Sequence, residues 1–483
     1  MTRVVAVSNR VADPVEGKAP GGLAVGVLAA LEQTGGMWFG WSGKLGSGIY
    51  SEPELVQKGR ITYATFPLNR AKFDEYYNGF CNNILWPVFH YTLGMLEYDR
   101  SQYHAYLQIN ALFARWLVPL LTADDVIWVH DYHLIPLAKE LRQLGVDRPI
   151  GFFLHTPFPP YEVLRALPVH RELLHALCAY DVVGFQTKRD LRAFRDSVSR
   201  RDVGAKLLPG GRVRYGDRVL RAEVFPIGID VEGCRRMAVA AQRHRRLART
   251  KESLGHRTLL LGADRLDYSK GLPERFGAYE RLLETHEQYR GNVVFMQVAP
   301  PTRAGVRAYA EIREQLERAA GHINGRFGEM DWVPLRYLNK DLDRSMLMGL
   351  LRLARVGLVT PIRDGMNLVA KEYVAAQDPE QPGALVLSNM AGAAQELDAA
   401  VLVNPYDMDG VAEGIQHALQ MSLDERRERH ADMMRVLRRN DITAWHERFI
   451  EALTSAGTAR SKRAESQERQ RLARVAGIAV RRD

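Results

Sequence analysis

Two stretches of this 483-residue chain place fixed cations beside carboxylates directly after short apolar runs. The first, Asp264-Arg265-Leu266-Asp267-Tyr268-Ser269-Lys270-Gly271, follows Leu259-Leu260-Leu261 and leads into a helical pattern from Pro273 to Leu283. A diphosphate suits this set: a guanidinium that binds two oxygens at once, a point-charge ammonium, and free N–H groups at a helix start. The alternative is a surface ion-pair network of the two cations with Asp264, Asp267 and Glu274. The place after a strand favours a ligand, because open parallel sheets bind ligands at the carboxyl ends of their strands.

The second stretch, Arg363-Asp364-Gly365-Met366-Asn367-Leu368-Val369-Ala370-Lys371-Glu372, follows the apolar run Gly357 to Thr360. Gly365 permits a positive φ or a close approach. Asn367 is a candidate helix cap. Asp364 and Glu372 are eight residues apart, a little over two helical turns, so both carboxylates can face one cleft. Asp364 is placed to accept from sugar hydroxyls, and Glu372 from the two hydroxyls of a ribose. The alternative is a capped helix in which Glu372 partners Lys371 or Arg363.

In the first half, Trp128 to His133 and Phe152-Phe153-Leu154-His155-Thr156-Pro157-Phe158-Pro159 also close strand-like runs. His155, beside proline-containing turns, is a better candidate than a lone histidine. His130 and His133 flank Asp131, but no third ligand has a suitable spacing, so no metal is expected. Trp38, Phe39 and Trp41 lie in a glycine-rich, loop-like context, with Tyr76, Tyr77 and Trp86 further on. Such rings fit a carbohydrate pocket, whereas at strand or helix spacing they are core. Asp407-Met408-Asp409 has the D-x-D spacing of a metal-nucleotide site. It reads better as a turn into a helix beginning near Val411, with Asp409 as cap. The turn at Gly21-Gly22 is not G-x-G-x-x-G, so the nicotinamide fingerprint is absent.

The elements that position these groups alternate along the chain. Strand-like runs at Arg3 to Val7, Val126 to Val129, Ile150 to Leu154 and Val182 to Phe185 are separated by helical patterns at Ala111 to Leu121, Leu134 to Leu144 and Lys188 to Val198. A basic helical stretch, Arg235 to Lys251, follows a turn near Gly228. The alternation then restarts, with strands at Thr258 to Gly262, Val293 to Val298, Val356 to Val359, Ala384 to Leu387 and Val401 to Val403. Helical patterns at Val306 to Ala319 and Leu368 to Ala376 accompany them. Alternation of this kind predicts parallel sheets covered on both faces. The expectation is an α/β chain of two doubly wound domains, residues 1–228 and 229–455, followed by a basic mobile tail, 456–483.

Composition agrees. Apolar residues make up 46% and charged residues 25%, which is ordinary for a globular protein and excludes a fibre or a disordered chain. No apolar window is long enough to span a membrane, and the N-terminus has no export signal pattern. From Arg460 onward, seven arginines and one lysine face three acids, a net +5 of the chain's +9. The body therefore has no nucleic-acid footprint. Cys81, Cys178 and Cys234 have no metal or redox spacing, which fits a cytoplasmic protein.

Together, Ser8-Asn9-Arg10, Gly21-Gly22-Leu23, Trp38 to Gly43, Trp128 to His133, Gly151 to Pro159, Arg265 to Pro273 and Asp364 to Glu372 resemble the trehalose-6-phosphate synthases. The likeness runs from the start to about residue 454. It implies a GT-B fold, two Rossmann-like domains facing across a cleft, with a last helix crossing back to the first domain. It implies retaining transfer of glucose from UDP-glucose to glucose 6-phosphate. By resemblance, Arg10 and Arg303 clamp the acceptor phosphate with Tyr77, and Trp41, Trp86 and Asp131 line the acceptor sugar. Arg265, Lys270 and the Leu368 N–H take the donor diphosphate, and Glu372 takes the ribose. His155 and Asp364 hold the donor glucose, and Gly22 approaches the leaving group. The catalytic set is then His155, Arg265, Lys270 and Asp364. No metal or other cofactor is implied, because two cations stand where a metal would. The resemblance also implies a homo-oligomer, a dimer or tetramer. A synthase with another phosphorylated acceptor, such as glucosylglycerol phosphate synthase, shares these motifs. An inactive regulatory subunit would lack some of the charged residues, and all are present. Too few residues follow position 455 for a phosphatase domain, so the product is expected to stay phosphorylated.

Overall fold

The computed structural model describes residues 2–12, 22–46, 52–302 and 307–457. Gly21, Arg303 and the tail from residue 458 lie outside the described residues. Two compact units are present. The first comprises the described residues up to Cys81, Tyr98–Phe225 and those from His446 onward; the second comprises Asn82–Glu97 and Pro226–Trp445. The division falls at Phe225/Pro226 rather than after Gly228. Ile227 and Ile229 already bond within the second unit, through Lys371 Nζ to the Ile227 carbonyl (2.7 Å) and the Ile442 N–H to the Ile229 carbonyl (3.1 Å). Residues 82–97, expected in the first domain, belong to the second unit.

The first unit is built on strands β1 (Arg3–Arg10), β2 (Gly36–Gly46), β3 (Glu54–Lys58), β4 (Ile61–Asn69), β5 (Asp125–His130), β6 (Ile150–Phe153), β7 (Val182–Phe185), β8 (Lys206–Leu207), β9 (Arg212–Tyr215) and β10 (Arg218–Val224). Among the described residues they form one sheet in the order β3-β4-β2-β1-β5-β6-β7-β10-β9-β8. The inner pairings are parallel, and β3, β8 and β9 close the edges antiparallel. The inner strands β5, β6 and β7 are buried at every position, which explains their continuous apolar runs.

The segment Trp38 to Gly43 is not a loop. It lies in β2, beside β1. Its glycines answer a packing demand: a Cβ on Gly40 would lie 2.1 Å from the Ser8 carbonyl oxygen. Trp38 and Phe39 are consequently core residues, with Trp38 Nε1 donating to Ser8 Oγ at 2.8 Å.

The second unit contains β11 (Thr258–Ala263), β12 (Val293–Val298), β13 (Leu335–Leu338), β14 (Val356–Val359), β15 (Ala384–Ser388) and β16 (Val401–Val403). They form an all-parallel sheet, β13-β12-β11-β14-β15-β16. Strand order reverses between β11 and β14, and in the first sheet between β1 and β5. Those are the two points where a doubly wound sheet opens a crevice beyond its carboxyl ends. No helix among the described residues is long and apolar enough to cross a membrane.

Residues 442–457 are helical, and within the first unit Phe449 stacks on Trp128 at 5.0 Å and meets Phe225 edge-on at 5.0 Å. Gly151 and Gly184 leave the space its ring fills, since a Cβ on either would lie 2.7 to 2.8 Å from that ring. Phe449→Ala should therefore lower stability by about 3–5 kcal/mol, the usual loss for an aromatic removed from a core. Chemical denaturation followed by fluorescence checks this; an unchanged midpoint would show that this ring anchors nothing.

Candidate active site

The loops at the second switch point are organised by a buried arginine. Arg275 is 1% exposed. Its Nη1 donates to Asp264 Oδ2 (2.6 Å) and Gln297 Oε1 (2.9 Å), its Nε to Thr360 Oγ1 (2.9 Å), and its Nη2 to the Lys270 carbonyl (3.2 Å). One guanidinium thus ties the residues that follow β11 and β14, the end of β12, and the loop between β11 and the next helix. Asp264 is a partner of this buried group, not part of a surface network. Asp267 is also buried, and its carboxylate accepts from Ser269 N–H (3.0 Å), Trp86 Nε1 (3.4 Å) and Tyr309 Oη (3.2 Å). The sequence reading missed Arg275. A signal existed: Leu272, Arg275, Phe276 and Tyr279 share one face of the helix Leu272–Thr285, and all are buried.

Gly271 takes a left-handed conformation (φ 63°) and opens that helix, with Pro273 in its first turn. The preceding Lys270 is buried and bonds Asp364 Oδ2. Asp364 accepts a second bond from Asn367 Nδ2 at 3.1 Å. The Arg363 N–H donates to the Ser269 carbonyl at 3.3 Å, so backbone as well as side chains join the two loops. Arg265 is exposed, with its guanidinium 5.9 Å from the Trp86 ring centroid. Trp86, grouped by sequence with the acceptor side of the first domain, therefore stands beside Arg265 and Asp267 in the second unit.

Asn367 caps the helix Leu368–Ala376 in a left-handed conformation (φ 72°), accepting from the Ala370 N–H at 3.3 Å. Leu368 is the first residue of that helix, where N–H groups have no intrahelical acceptor. Glu372 pairs with Arg344 at 3.1 Å, not with Lys371 or Arg363. Burial pushes the Glu372 carboxyl above its usual range, and Arg344 opposes that shift. Lys371 turns the other way, to Glu396 Oε2 at 2.6 Å. Arg344 is a second residue that sequence reasoning missed.

In the first unit, Arg10 ends β1 and lies 5.8 Å from the Trp41 ring centroid. The row continues through Phe73, 4.9 Å from Trp41, to Tyr77, stacked on Phe73 at 5.0 Å, and His133, stacked on Tyr77 at 5.7 Å. Asp131 follows β5 with φ 75°, and its Oδ1 accepts the His155 N–H at 3.2 Å. His130 Nδ1 and His155 Nε2 are 3.2 Å apart, so one donates to the other. Burial pushes the His155 imidazole down to about 3; His130 is lowered too, by burial and then by His155. Gly22 opens the helix Gly22–Thr34.

Asp407, not Asp409, caps the helix Met408–Gln420, accepting from the Gly410 N–H at 2.9 Å. Asp409 pairs with Arg281 at 2.6 Å.

Comparison with known proteins supplies the chemistry this geometry belongs to. Residues 8–455 match glycosyltransferase family 20. The chain belongs to this family. A trehalose-6-phosphate synthase of Klebsiella pneumoniae is 51% identical over 94% of this chain and 95% of its own length. The crystal structure of a UDP-forming alpha,alpha-trehalose-phosphate synthase from Burkholderia xenovorans, in complex with glucose-6-phosphate, is 52% identical, with a TM-score of 0.90 over 94% of this chain and all of that one. An E. coli structure bound with UDP-2-fluoro glucose is 50% identical, with a TM-score of 0.89 over 94% of this chain and 99% of that one. The two Rossmann-like sheets of this family-20 glycosyltransferase are those of the GT-B class.

The histidine pair carries a prediction. An imidazole lowered to about 3 stays neutral where an unfolded one, near 6.5, is charged. Its contribution to stability is therefore lost as pH falls from about 6.5 toward 3. The His155 ring resonance should not titrate between about pH 5 and 8, and His155→Gln should flatten part of the acid limb of the stability curve. A His155 midpoint near 6.5 by NMR would refute the buried, neutral assignment.

Proposed function

We propose that the chain is a trehalose-6-phosphate synthase: a retaining glucosyltransferase that moves glucose from UDP-glucose to glucose 6-phosphate, giving α,α-trehalose 6-phosphate and UDP. The observation that carries the reading is the Lys270–Asp364 pair beside Arg265, at the strand-order reversal of a family-20 enzyme. The E. coli relative was solved with a UDP-glucose analogue and the Burkholderia xenovorans relative with glucose-6-phosphate, which supports both substrates.

In this reading the donor diphosphate meets Arg265, Lys270 and the Leu368 N–H. The ribose meets Glu372, whose carboxylate Arg344 orients. Asp364 holds Lys270 in line and accepts from the donor glucose; the resemblance also assigns the uncharged His155 imidazole to the donor sugar. By resemblance the acceptor falls to Arg10, Trp41, Tyr77, Trp86, Asp131 and Arg303. A double displacement needs a carboxylate nucleophile and a second acid/base carboxylate. Asp364 is already engaged by Lys270 and Asn367, and Glu372 by Arg344. The resemblance implies retention by attack on the face the diphosphate leaves. The departing phosphate oxygen takes the acceptor proton while Arg265 and Lys270 absorb the developing charge.

The three cysteines, all buried and unbridged, support a reducing cytoplasm. A homo-oligomer is part of the reading and is open to light scattering.

Arg265→Ala and Lys270→Ala should each lower kcat by about two to three orders of magnitude, the range for losing one transition-state charge partner. Either variant within twofold of wild type would remove the diphosphate assignment. Activity should survive EDTA, since side chains and helix N–H groups carry the diphosphate; loss restored by Mg²⁺ or Mn²⁺ would overturn that. An acceptor panel separates the alternatives. Glucose 6-phosphate should react and free glucose scarcely at all, whereas preference for glycerol 3-phosphate would make the enzyme a glucosylglycerol phosphate synthase.

A further inference from the structure

The short helix Trp86–Phe89 closes in an uncommon way. The Thr92 N–H donates to the Pro87 carbonyl (2.8 Å) and the Tyr91 N–H to the Val88 carbonyl (3.1 Å). The left-handed residue inside such a closure is ordinarily glycine. Here it is Tyr91, with φ 64°. A side chain in that region is strained and persists only where its surroundings hold it. One contact that holds it lies on the ring: the Arg363 guanidinium is 3.7 Å from the Tyr91 ring centroid, a close cation–π stack. Arg363 directly precedes Asp364, and its guanidinium also reaches Met390 Sδ at 3.7 Å. Tyr91 is thus joined through its backbone to the helix that carries Trp86, and through its ring to the loop that carries Asp364.

We infer that Tyr91 and Arg363 are a positioning pair that sets the spacing between Trp86 and the Lys270–Asp364 pair, and so decides whether glucose passes to the sugar phosphate or to water. The inference rests on the reading above, in which Trp86 meets the acceptor and Asp364 the donor glucose. Trp86 is also tied to these loops directly, by its indole N–H 3.4 Å from Asp267 Oδ1 and by the Arg265 guanidinium 5.9 Å from its ring centroid, and the Tyr91 stack adds a restraint through the backbone. In both outcomes the bond from the anomeric carbon to the diphosphate oxygen breaks, and the attacking O–H gives its proton to the departing UDP. The attacker is either an acceptor hydroxyl or water. A displacement of about 1 Å in a positioned reactant costs about a hundredfold in rate. Water, small and abundant, tolerates a loosened site far better than a hexose phosphate does.

Tyr91→Gly is the decisive variant, because glycine takes the left-handed backbone without strain and removes only the ring. It should lower kcat for transfer by about tenfold or more and raise the hydrolysed share of UDP-glucose about fivefold, with the UDP dissociation constant by calorimetry within about threefold. Tyr91→Phe, which keeps the stack, should restore transfer to within about threefold of wild type, and Arg363→Met should reproduce the glycine phenotype. A transfer-to-hydrolysis ratio in Tyr91→Gly equal to wild type overturns the pair, as does equal loss in the Gly and Phe variants, or a loss that tracks melting temperature or UDP affinity. Wild-type enzyme that does not use glucose 6-phosphate overturns the functional reading instead. The pair is then judged by UDP release from UDP-glucose alone, and equal release by wild type and Tyr91→Gly refutes it.

Discussion

A single buried guanidinium holds the carboxyl edge of the second sheet in register. Arg275 is almost wholly buried, and its charge is compensated by Asp264, Gln297, Thr360 and the Lys270 carbonyl around it. Removing the Asp264 carboxylate would leave a buried charge uncompensated, at about 3–5 kcal/mol. The constraint works in both directions. The arginine fixes where the loop after β11 begins and ends, and that loop presents Arg265 and Lys270. The same arginine holds Thr360, from which the chain runs directly to Arg363 and Asp364. Position at the switch point comes from the sheet; position within it comes from Arg275.

The two units solve different electrostatic problems. The second carries fixed charge: Arg265 is exposed beside Trp86, and Lys270 is buried against Asp364. Holding an ammonium with a carboxylate before a substrate arrives keeps it aimed and avoids reorganisation later. A leaving diphosphate needs such charge. The first unit keeps the two histidines after its strands β5 and β6 neutral. Burial holds both His130 and His155 uncharged, and their mutual hydrogen bond would be lost if both were protonated. Around them stand aromatic faces, with Arg10 at the end of β1 as the cation over the row. An anionic group attached to a sugar matches that combination: flat apolar surface for the ring and one guanidinium for the charge.

Where the chain forms continuous apolar runs between polar turns, its sequence was readable. The strands at Val293–Val298, Val356–Val359 and Val401–Val403, and the helices at Lys188–Val198 and Leu368–Ala376, lie where periodicity puts them. The motif loops could be read for the same reason, because strand ends in parallel sheets are marked by the runs that precede them. Reading failed where a residue serves tertiary approach. Glycines in β2 look like a loop, yet Gly40 exists so that β1 can lie against it. Arg275 and Arg344 look like surface charges until the fold closes around one and sets Glu372 against the other. The short helix carrying Trp86 belongs to the second unit although its sequence neighbours on both sides belong to the first. Local pattern holds no record of which unit a segment joins, since that depends on contacts far along the chain.

Backbone strain gives a last measure of what the site requires. Among the described residues, three that are not glycine have positive φ: Tyr91, Asp131 and Asn367. Each would be more comfortable as glycine, and each uses the side chain that glycine lacks. Asp131 accepts the His155 N–H and ties the end of β5 to the end of β6. Asn367 accepts the Ala370 N–H and donates to Asp364, so one amide caps a helix and orients a carboxylate. Tyr91 stacks on Arg363, the residue before that carboxylate. Random strain would be scattered over loops on every side of the two sheets. Instead, Asp131 and Asn367 follow strands at the two switch points, and Tyr91 contacts one of those loops. Strain persists at such positions because the neighbouring contacts over-determine the conformation. In each unit the fold therefore accepts an unfavourable backbone where a side chain must hold a neighbouring loop, and glycine serves where only the backbone must pass.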